Sequence, residues 1–179
     1  MSSYLELTYK LLLLAPSYTA NAFPLIVRKI VRNAHPVDFG RNFIDGKRIF
    51  GDSKSWEGLF AGVSAGTLAG VALLFIYHYP LTHLAIAGFI QGVGSMIGDL
   101  VNSFIKRRLG MKPGALLPVL DQTSFILISL LFVKLLKIDF YTGVELGLTE
   151  IVIAIGIALV LHPLANYLAY LVKLKSVPY

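Results

Sequence analysis

The chain has 179 residues, of which 56% are hydrophobic and only 15% are charged. A soluble domain is about half apolar and about a quarter charged, so this composition argues against a soluble globular protein. The mean hydropathy of +0.72 supports the same conclusion. We interpret the excess apolar surface as surface that faces lipid.

A net charge of +6 is common among proteins that bind nucleic acid. Here the basic residues lie between apolar stretches, which favours membrane topology and phosphate binding over nucleic-acid binding. The chain has no cysteine, which excludes disulfides and thiolate chemistry. The N-terminus lacks the pattern of a cleaved signal peptide, so we expect the first apolar stretch to be retained.

Five apolar stretches predict helices that cross a hydrocarbon core of about 30 Å. Pro16 and Pro24 interrupt the first, which predicts a kinked or broken helix. The fourth is short and carries Lys134 and Lys137 near its end. The predicted fold is all-α and polytopic, one integral membrane domain over residues 1–179, with about five transmembrane helices at residues 5–30, 58–77, 84–104, 124–138 and 148–172.

The basic residues are distributed unequally between the two sides of this predicted bundle. Thirteen of the 16 lie in or beside the loops at 31–57 and 105–123, or in the C-terminal tail. The positive-inside rule places that side in the cytoplasm, with the N-terminus outside and the C-terminus inside. We therefore expect a multi-pass protein of the cell membrane whose two cytoplasmic loops form the active-site face.

Glycines recur in the second and third stretches at spacings typical of closely packed membrane helices. Two interpretations are open: the glycines let the helix backbones approach each other, or they open a groove for a lipid chain. The two rows are Gly58, Gly62, Gly66 and Gly70, then Gly88, Gly92, Gly94 and Gly98.

The end of the third stretch carries a polar helical face. Asp99, Asn102, Ser103, Lys106 and Arg107 follow the spacing i, i+3, i+4, i+7 and i+8, which predicts that they share one side. A carboxylate inside a span is costly unless it is paired or meets water or a metal. An ion pair of Asp99 with Lys106 or Arg107 is one interpretation. A polar pocket is the other, and Asn102 and Ser103 favour it.

Asp121 stands just before the fourth stretch, where an aspartate commonly caps a helix. Its second interpretation is a carboxylate that faces Asp99. Two carboxylates beside lysines and a helix N-terminus suit a Mg²⁺ ion with bound phosphates. A Mg²⁺ site with Asp99 and Asp121 as ligands is therefore one interpretation, and a helix cap at Asp121, which its position alone favours, is the other.

The first loop is expected on the same side as these carboxylates. It could be a basic turn region in which Asp52, Ser53 or Ser55 caps the next helix. Its glycines beside lysines and hydroxyls are also typical of a backbone that approaches phosphates, although the spacing of a Walker A loop is absent. The four histidines form no metal-binding set, and we expect His162 to hydrogen-bond inside the bundle.

These segments resemble motifs of the CDP-diacylglycerol synthase family and occur in the same order. Gln122 and Ser124 depart from that family's pattern, which has arginine and a second aspartate there. The short length and the Leu-Asp-Gln segment are similar to the archaeal branch, the CDP-archaeol synthases. The matching segments are Lys54-Ser55-Trp56-Glu57-Gly58, Gly98-Asp99 with Ser103 and Lys106-Arg107, Lys112, Pro118 and Leu120-Asp121.

The resemblance implies a CTP-dependent cytidylyltransferase of membrane phospholipid biosynthesis. Its lipid substrate would be 2,3-bis-O-geranylgeranyl-glycerol 1-phosphate, converted to a CDP-activated lipid (CDP-archaeol) with release of pyrophosphate. On this hypothesis Asp99 and Asp121 hold Mg²⁺, and Lys106, Arg107 and Lys112 neutralise the phosphates. The other expected substrate-binding residues are Asn42, Lys47, Asp52, Lys54, Ser55, Asn102 and Ser103.

Two alternatives belong to other classes of protein. A transporter of a phosphorylated or anionic solute would carry charges near mid-membrane and broken helices in repeated halves. Here the charges lie at the predicted cytoplasmic edge and no repeat is visible. A non-catalytic membrane scaffold leaves the Asp99 face unexplained. The lipid chain type is implied by the resemblance alone, and the oligomeric state is left open.

Overall fold

The computed structural model describes residues 3–175 and residue 177. These residues form α-helices and two isolated β-bridges, with no strand among them, which confirms the all-α expectation. A 3₁₀ turn at Leu73–Phe75 extends the third helix. The helices are α1 (Ser3–Leu12), α2 (Ala15–Ile30), α3 (Trp56–Ala72), α4 (Leu81–Arg108), α5 (Leu120–Leu135), α6 (Ile138–Tyr141) and α7 (Leu148–Leu171).

Three of these helices are long and apolar enough to cross a membrane, namely α3 with its 3₁₀ extension, α4 and α7. The bent pair α1 and α2 adds a fourth candidate if the two helices form one span. Helix α5 has 16 residues, which gives a length of about 24 Å against a core of about 30 Å. The chain is therefore a multi-pass membrane protein, with three or four candidate spans among the described residues.

The first predicted span is broken, as its prolines suggested. Helices α1 and α2 meet at 45°, and the break itself falls at the buried residues Leu13 and Leu14. Pro16 lies in the first turn of α2, where a missing backbone N–H is harmless. Pro24 lies inside α2, and Pro163 lies inside α7.

The glycine rows hold α3, α4 and α5 together. A Cβ atom added at Gly66 would lie 3.0 Å from Gly92 Cα, and one at Gly70 would lie 2.7 Å from Gly88 Cα. A Cβ at Gly94 would lie 2.7 Å from the Cα of Ser129 in α5. These backbones are in direct contact, so the glycines do let the helices pack closely. Gly58, the first glycine of the first row, also lines the cavity described below.

The loop between α2 and α3 is organised around the buried carboxylate of Asp38. It accepts hydrogen bonds from the backbone N–H groups of Gly40, Phe50 and Gly51, and it pairs with Arg48 at 2.6 Å. Burial alone would raise the pKa of Asp38, but Arg48 and the three N–H donors together hold it well below its usual range. The loop therefore has a fixed shape.

Contacts with the end of α4 fix where this loop lies. Ser103 Oγ donates to the carbonyl oxygen of Phe50 at 2.9 Å. The guanidinium of Arg108 lies 4.9 Å from the ring centre of Phe43 and 4.7 Å from that of Phe104. The end of the loop, with Lys54 and Ser55, is thereby brought beside the polar face of α4.

Candidate active site

A cavity of about 790 Å³ lies where the first loop meets α2, α4, α5 and α7. One wall is charged and comes from the loop, the end of α4 and the start of α5. A second, largely apolar part of the lining comes from α2 and α7. The charged wall consists of Lys54, Asp99, Asn102, Lys106 and Asp121, with Ser55, Ser103 and Arg107 beside them.

Asp99 pairs with a residue of the loop. Lys54 Nζ donates to Asp99 Oδ2 at 2.5 Å, and both side chains are about one-fifth exposed, at 20% and 23%. Neither partner expected from the helix itself, Lys106 or Arg107, makes this ion pair. Because Lys54 and Asp99 come from separate elements, the pair depends on the loop lying over α4.

Asp121 lies in the first turn of α5 and is held by three groups. Lys106 Nζ lies 2.9 Å from both carboxylate oxygens. Asn102 Nδ2 donates to Oδ1 at 2.7 Å, and the backbone N–H of Leu117 donates to Oδ2 at 2.7 Å. The N-cap position belongs to Val119, so Asp121 is not the N-cap residue.

The donor set of this wall fits a hard divalent cation. Asp99 and Asp121 provide carboxylate oxygens, and the Oδ1 atom of Asn102 is buried with no hydrogen-bond donor. Within residues 3–175 and 177, no group of three or more histidine, aspartate or glutamate side chains could hold a metal alone. Mg²⁺ is commonly held by one or two carboxylates plus substrate phosphates, so a ligand set of this size is suitable.

The predicted site residues divide between the cavity and its surroundings. Ser55 caps α3, accepting from the Gly58 N–H at 3.2 Å, and also lines the cavity. Four others lie outside it. Lys47 and Asp52 line a smaller cavity of about 360 Å³ that shares Arg107 with the larger one. Asn42 forms an isolated β-bridge with Arg48 in the loop. The carbonyl oxygen of Lys112 accepts a hydrogen bond from Arg107 Nη2 at 3.3 Å.

Several cavity residues were not predicted as site residues: Tyr18, Asn21 and Arg28 from α2, His162 from α7, and Lys175. Burial lowers the pKa of Lys175; Asp121 opposes this shift, while Lys106 and Lys54 add to it. Asn21 Nδ2 lies 3.2 Å from His162 Nδ1, which confirms the expected hydrogen bond of His162 inside the bundle. In the sequence, Asn21 and His162 are visible only as polar side chains within apolar stretches, and no spacing rule connects residue 21 with residue 162.

Fold and site together define a class: a polytopic membrane protein with a cavity that joins paired carboxylates and lysines to an apolar wall. Within that class, the chain belongs to the CDP-archaeol synthase family. The family model described as CarS-like, CDP-archaeol synthase, matches residues 4–179.

Individual relatives match over nearly their whole length. The chain is 40% identical to the CDP-archaeol synthase of Pyrobaculum calidifontis over 174 residues, which cover 97% of this chain and 99% of the relative. The corresponding protein of Pyrococcus furiosus is 39% identical over 166 residues, 92% of this chain and 93% of the relative. That of Saccharolobus islandicus is 34% identical over 179 residues, the whole of both chains.

One solved structure is also similar, described as an intramembrane enzyme for archaeal membrane lipids biosynthesis. Its TM-score is 0.72 at 35% identity, covering 87% of this chain and 90% of that chain. The expectation of a CDP-archaeol synthase is confirmed, and the transporter alternative finds no support.

Proposed function

We propose that this chain transfers the CMP group of CTP to an ether-lipid phosphate, 2,3-bis-O-geranylgeranyl-glycerol 1-phosphate, forming CDP-archaeol and pyrophosphate. One observation carries the proposal: a single cavity is lined both by a wall of paired carboxylates and lysines and by a largely apolar wall from α2 and α7. CTP needs the first wall and the isoprenoid chains need the second.

The chemistry requires no catalytic base. An oxygen of the lipid phosphate attacks the α-phosphorus of CTP, a new P–O bond forms, and the bond to the β-phosphate breaks to release pyrophosphate. The lipid phosphate is largely ionised near pH 7, so the attacking oxygen carries no proton that must be removed. Catalysis is then positioning and stabilisation of charge, as in phosphoryl transfer generally.

Asp99 and Asp121 would hold Mg²⁺, with the amide oxygen of Asn102 as a further oxygen donor. When bound, the ion would supply neutralisation of phosphate charge. Lys54 and Lys106 lie within hydrogen-bond distance of the two carboxylates. Each lysine is thus positioned to reach a phosphate held at the same place.

The remaining predicted residues take two kinds of role. Arg107, Ser103 and Ser55 line the cavity and would contact the CTP phosphates. The other four lie outside it and would shape the loops around the nucleotide, with Lys47 and Asp52 on the smaller cavity; they are Asn42, Lys47, Asp52 and Lys112.

We further propose a topology of five crossings within a single domain, with α1 and α2 as one broken span and α5 as a short one. The N-terminus would lie outside, and the active site would face the cytoplasm at the cell membrane. The positive-inside distribution supports this orientation. Cysteines introduced at Asp52 and at Glu145 would test it in intact cells, because a membrane-impermeant thiol reagent should label only residue 145.

The activity test uses the purified chain in detergent or lipid vesicles with labelled CTP. We expect labelled CDP-lipid and an equal amount of pyrophosphate when the ether-lipid phosphate and Mg²⁺ are both present. Addition of EDTA should stop both products, and readdition of Mg²⁺ should restore them. Failure to consume CTP under these conditions would contradict the proposal, whereas EDTA-resistant turnover would remove only the metal from it.

A further inference from the structure

Asn21 and His162 form a polar pair between two helices that otherwise give the cavity its apolar wall. Asn21 belongs to α2 and His162 to α7, and their side chains meet at 3.2 Å. The other cavity-lining residues of α7 are apolar, such as Leu161, Leu164 and Ala165, except Asn166 one turn further along. A polar pair among such neighbours is costly in a membrane unless it serves a ligand or a packing role.

The hydrogen bond determines which ring nitrogen of His162 carries the proton. The amide nitrogen of Asn21 can only donate, so Nδ1 of His162 accepts. The neutral ring therefore holds its proton on Nε2. Asn21 and the stacked ring of Phe125 hold this imidazole in place, and Nε2–H is the remaining donor that His162 can offer to a ligand in the cavity.

The depth of His162 is set by its stacking on Phe125. The two ring centres lie 6.1 Å apart at an interplanar angle of 29°. Phe125 follows Asp121 by four residues in α5 and is therefore about 6 Å deeper along that helix. His162 thus lies beside the ring of Phe125, one helical turn along α5 from the carboxylate that we assign to the phosphate site.

This depth matches one part of a lipid phosphate. A lipid whose phosphate lies beside Asp121, and whose chains lie along α2 and α7, has its glycerol between the two. The ether oxygens lie only a few bonds below the phosphorus. They are hydrogen-bond acceptors with no proton of their own, and Nε2–H is a donor.

We propose that His162 recognises the ether oxygens of the lipid substrate through Nε2–H, with Asn21 as the residue that positions its ring. The inference rests on the proposed function for the identity of the lipid. It makes His162 a specificity-determining residue that touches the substrate and leaves the α-phosphorus chemistry to the charged wall.

The test compares two lipid phosphates with the wild type and His162→Phe. One lipid is the diether, and the other is a carbon analogue in which methylene groups replace the ether oxygens. Phenylalanine keeps a ring against Phe125 but removes the N–H donor. We expect His162→Phe to raise KM for the diether about five- to tenfold, the effect of one hydrogen bond. KM for the carbon analogue and for CTP should change less than twofold.

Two further variants separate recognition from packing. His162→Gln retains an N–H donor and should recover part of the lost selectivity. Asn21→Leu leaves the ring in place without its partner, and should raise KM for the diether about two- to threefold. An equal rise for both lipids in His162→Phe, or an equal rise for CTP, would overturn the inference, because either result indicates a packing role only.

Equilibrium binding of the two lipids without CTP keeps this result separate from the proposed reaction. The wild type should prefer the diether, and His162→Phe should lose that preference. A wild type that binds with this preference but never consumes CTP would overturn the proposed function and support the role of His162. Normal turnover without any preference for the diether would support the proposed function and overturn the role of His162.

Discussion

Two groups of polar side chains lie within this apolar bundle, and their hydrogen bonding differs. The first is the charged wall of the cavity, where Lys54, Asp99, Lys106 and Asp121 are 13% to 23% exposed. The second joins α2, α4 and α5 deeper in the molecule through Ser17, Gln91, Ser95 and Ser129, all fully buried. We refer to this second group as the serine–glutamine cluster.

The serine–glutamine cluster is satisfied within the protein. Ser17 Oγ lies 2.6 Å from Ser129 Oγ and donates to Gln91 Oε1 at 2.9 Å, and Gln91 Nε2 donates to the Leu13 carbonyl at 2.9 Å. None of its four members lines the cavity. On the charged wall, by contrast, the Oδ1 atom of Asn102 is left without a donor. A polar group inside a membrane protein therefore indicates a binding site only when it also reaches a cavity.

The largest expected effect comes from the carboxylates of the charged wall. Asp99→Asn and Asp121→Asn each remove a negative charge from the predicted Mg²⁺ site, and we expect turnover to fall about a hundred- to a thousandfold. The measurement is formation of labelled CDP-lipid from CTP. Asp45→Asn is the matched control: Asp45 lines neither cavity and is about one-third exposed, so activity should stay within about twofold of wild type. Near wild-type turnover in either cavity variant would remove that carboxylate from the mechanism.

Two lysines of one loop sharpen the comparison further. Lys54 lines the larger cavity, whereas Lys47 donates to the Arg108 carbonyl at 2.9 Å and lines the smaller one. We expect Lys54→Gln to raise KM for CTP about ten- to thirtyfold, the loss of one charged hydrogen bond to phosphate. Lys47→Gln should raise it less than threefold. If Lys47→Gln raised KM for CTP more than Lys54→Gln did, the nucleotide phosphates would lie over the smaller cavity.

The sequence alone allowed prediction of the helices and of a polar helical face. It did not show which side chains of different elements contact each other. The face from Asp99 to Arg107 was readable because helical spacing is periodic. The Lys54–Asp99 pair was not, because it depends on how the folded loop lies over α4. His162 and Asn21 are separated by 141 positions, and no local rule brings them together. The spacing of the glycine rows predicted the close approach of α3, α4 and α5, but it could not show that Gly58 alone among these glycines lines the cavity.

A smaller effect is expected from the loop itself, through Asp38. Asp38→Asn leaves Arg48 without its buried partner, and we expect a loss of about 2–3 kcal/mol in loop stability. The lowered pKa of Asp38 means that the folded loop binds its proton less readily than the unfolded chain. Its stabilising contribution is therefore fully present above the ordinary pKa of about 4, and is lost as the pH falls below it.

Limited proteolysis within residues 36–55 measures this contribution. Cleavage of Asp38→Asn should exceed that of wild type by a constant factor from pH 8 to pH 5, and the two rates should converge at lower pH. Asp45→Asn is the control, because Asp45 pairs with Arg108 at 3.0 Å while remaining partly exposed. An Asp38 effect that grows as the pH falls would contradict the assigned pKa direction.

The smallest expected effect on turnover comes from the serine–glutamine cluster. Gln91→Leu leaves the Leu13 carbonyl without its donor and the Ser17 hydroxyl with Ser129 as its remaining side-chain partner, and we expect a loss of about 1–3 kcal/mol in unfolding free energy. Ser95→Ala removes a single bond, from Ser95 Oγ to the Ser17 carbonyl at 3.1 Å, and should cost less. Thermal unfolding in detergent measures both, and turnover of the folded fraction should match wild type. A fall in turnover comparable to that of Asp121→Asn, with unchanged unfolding, would contradict this comparison. It would mean that a polar group in this bundle can serve substrate binding or catalysis without lining the cavity.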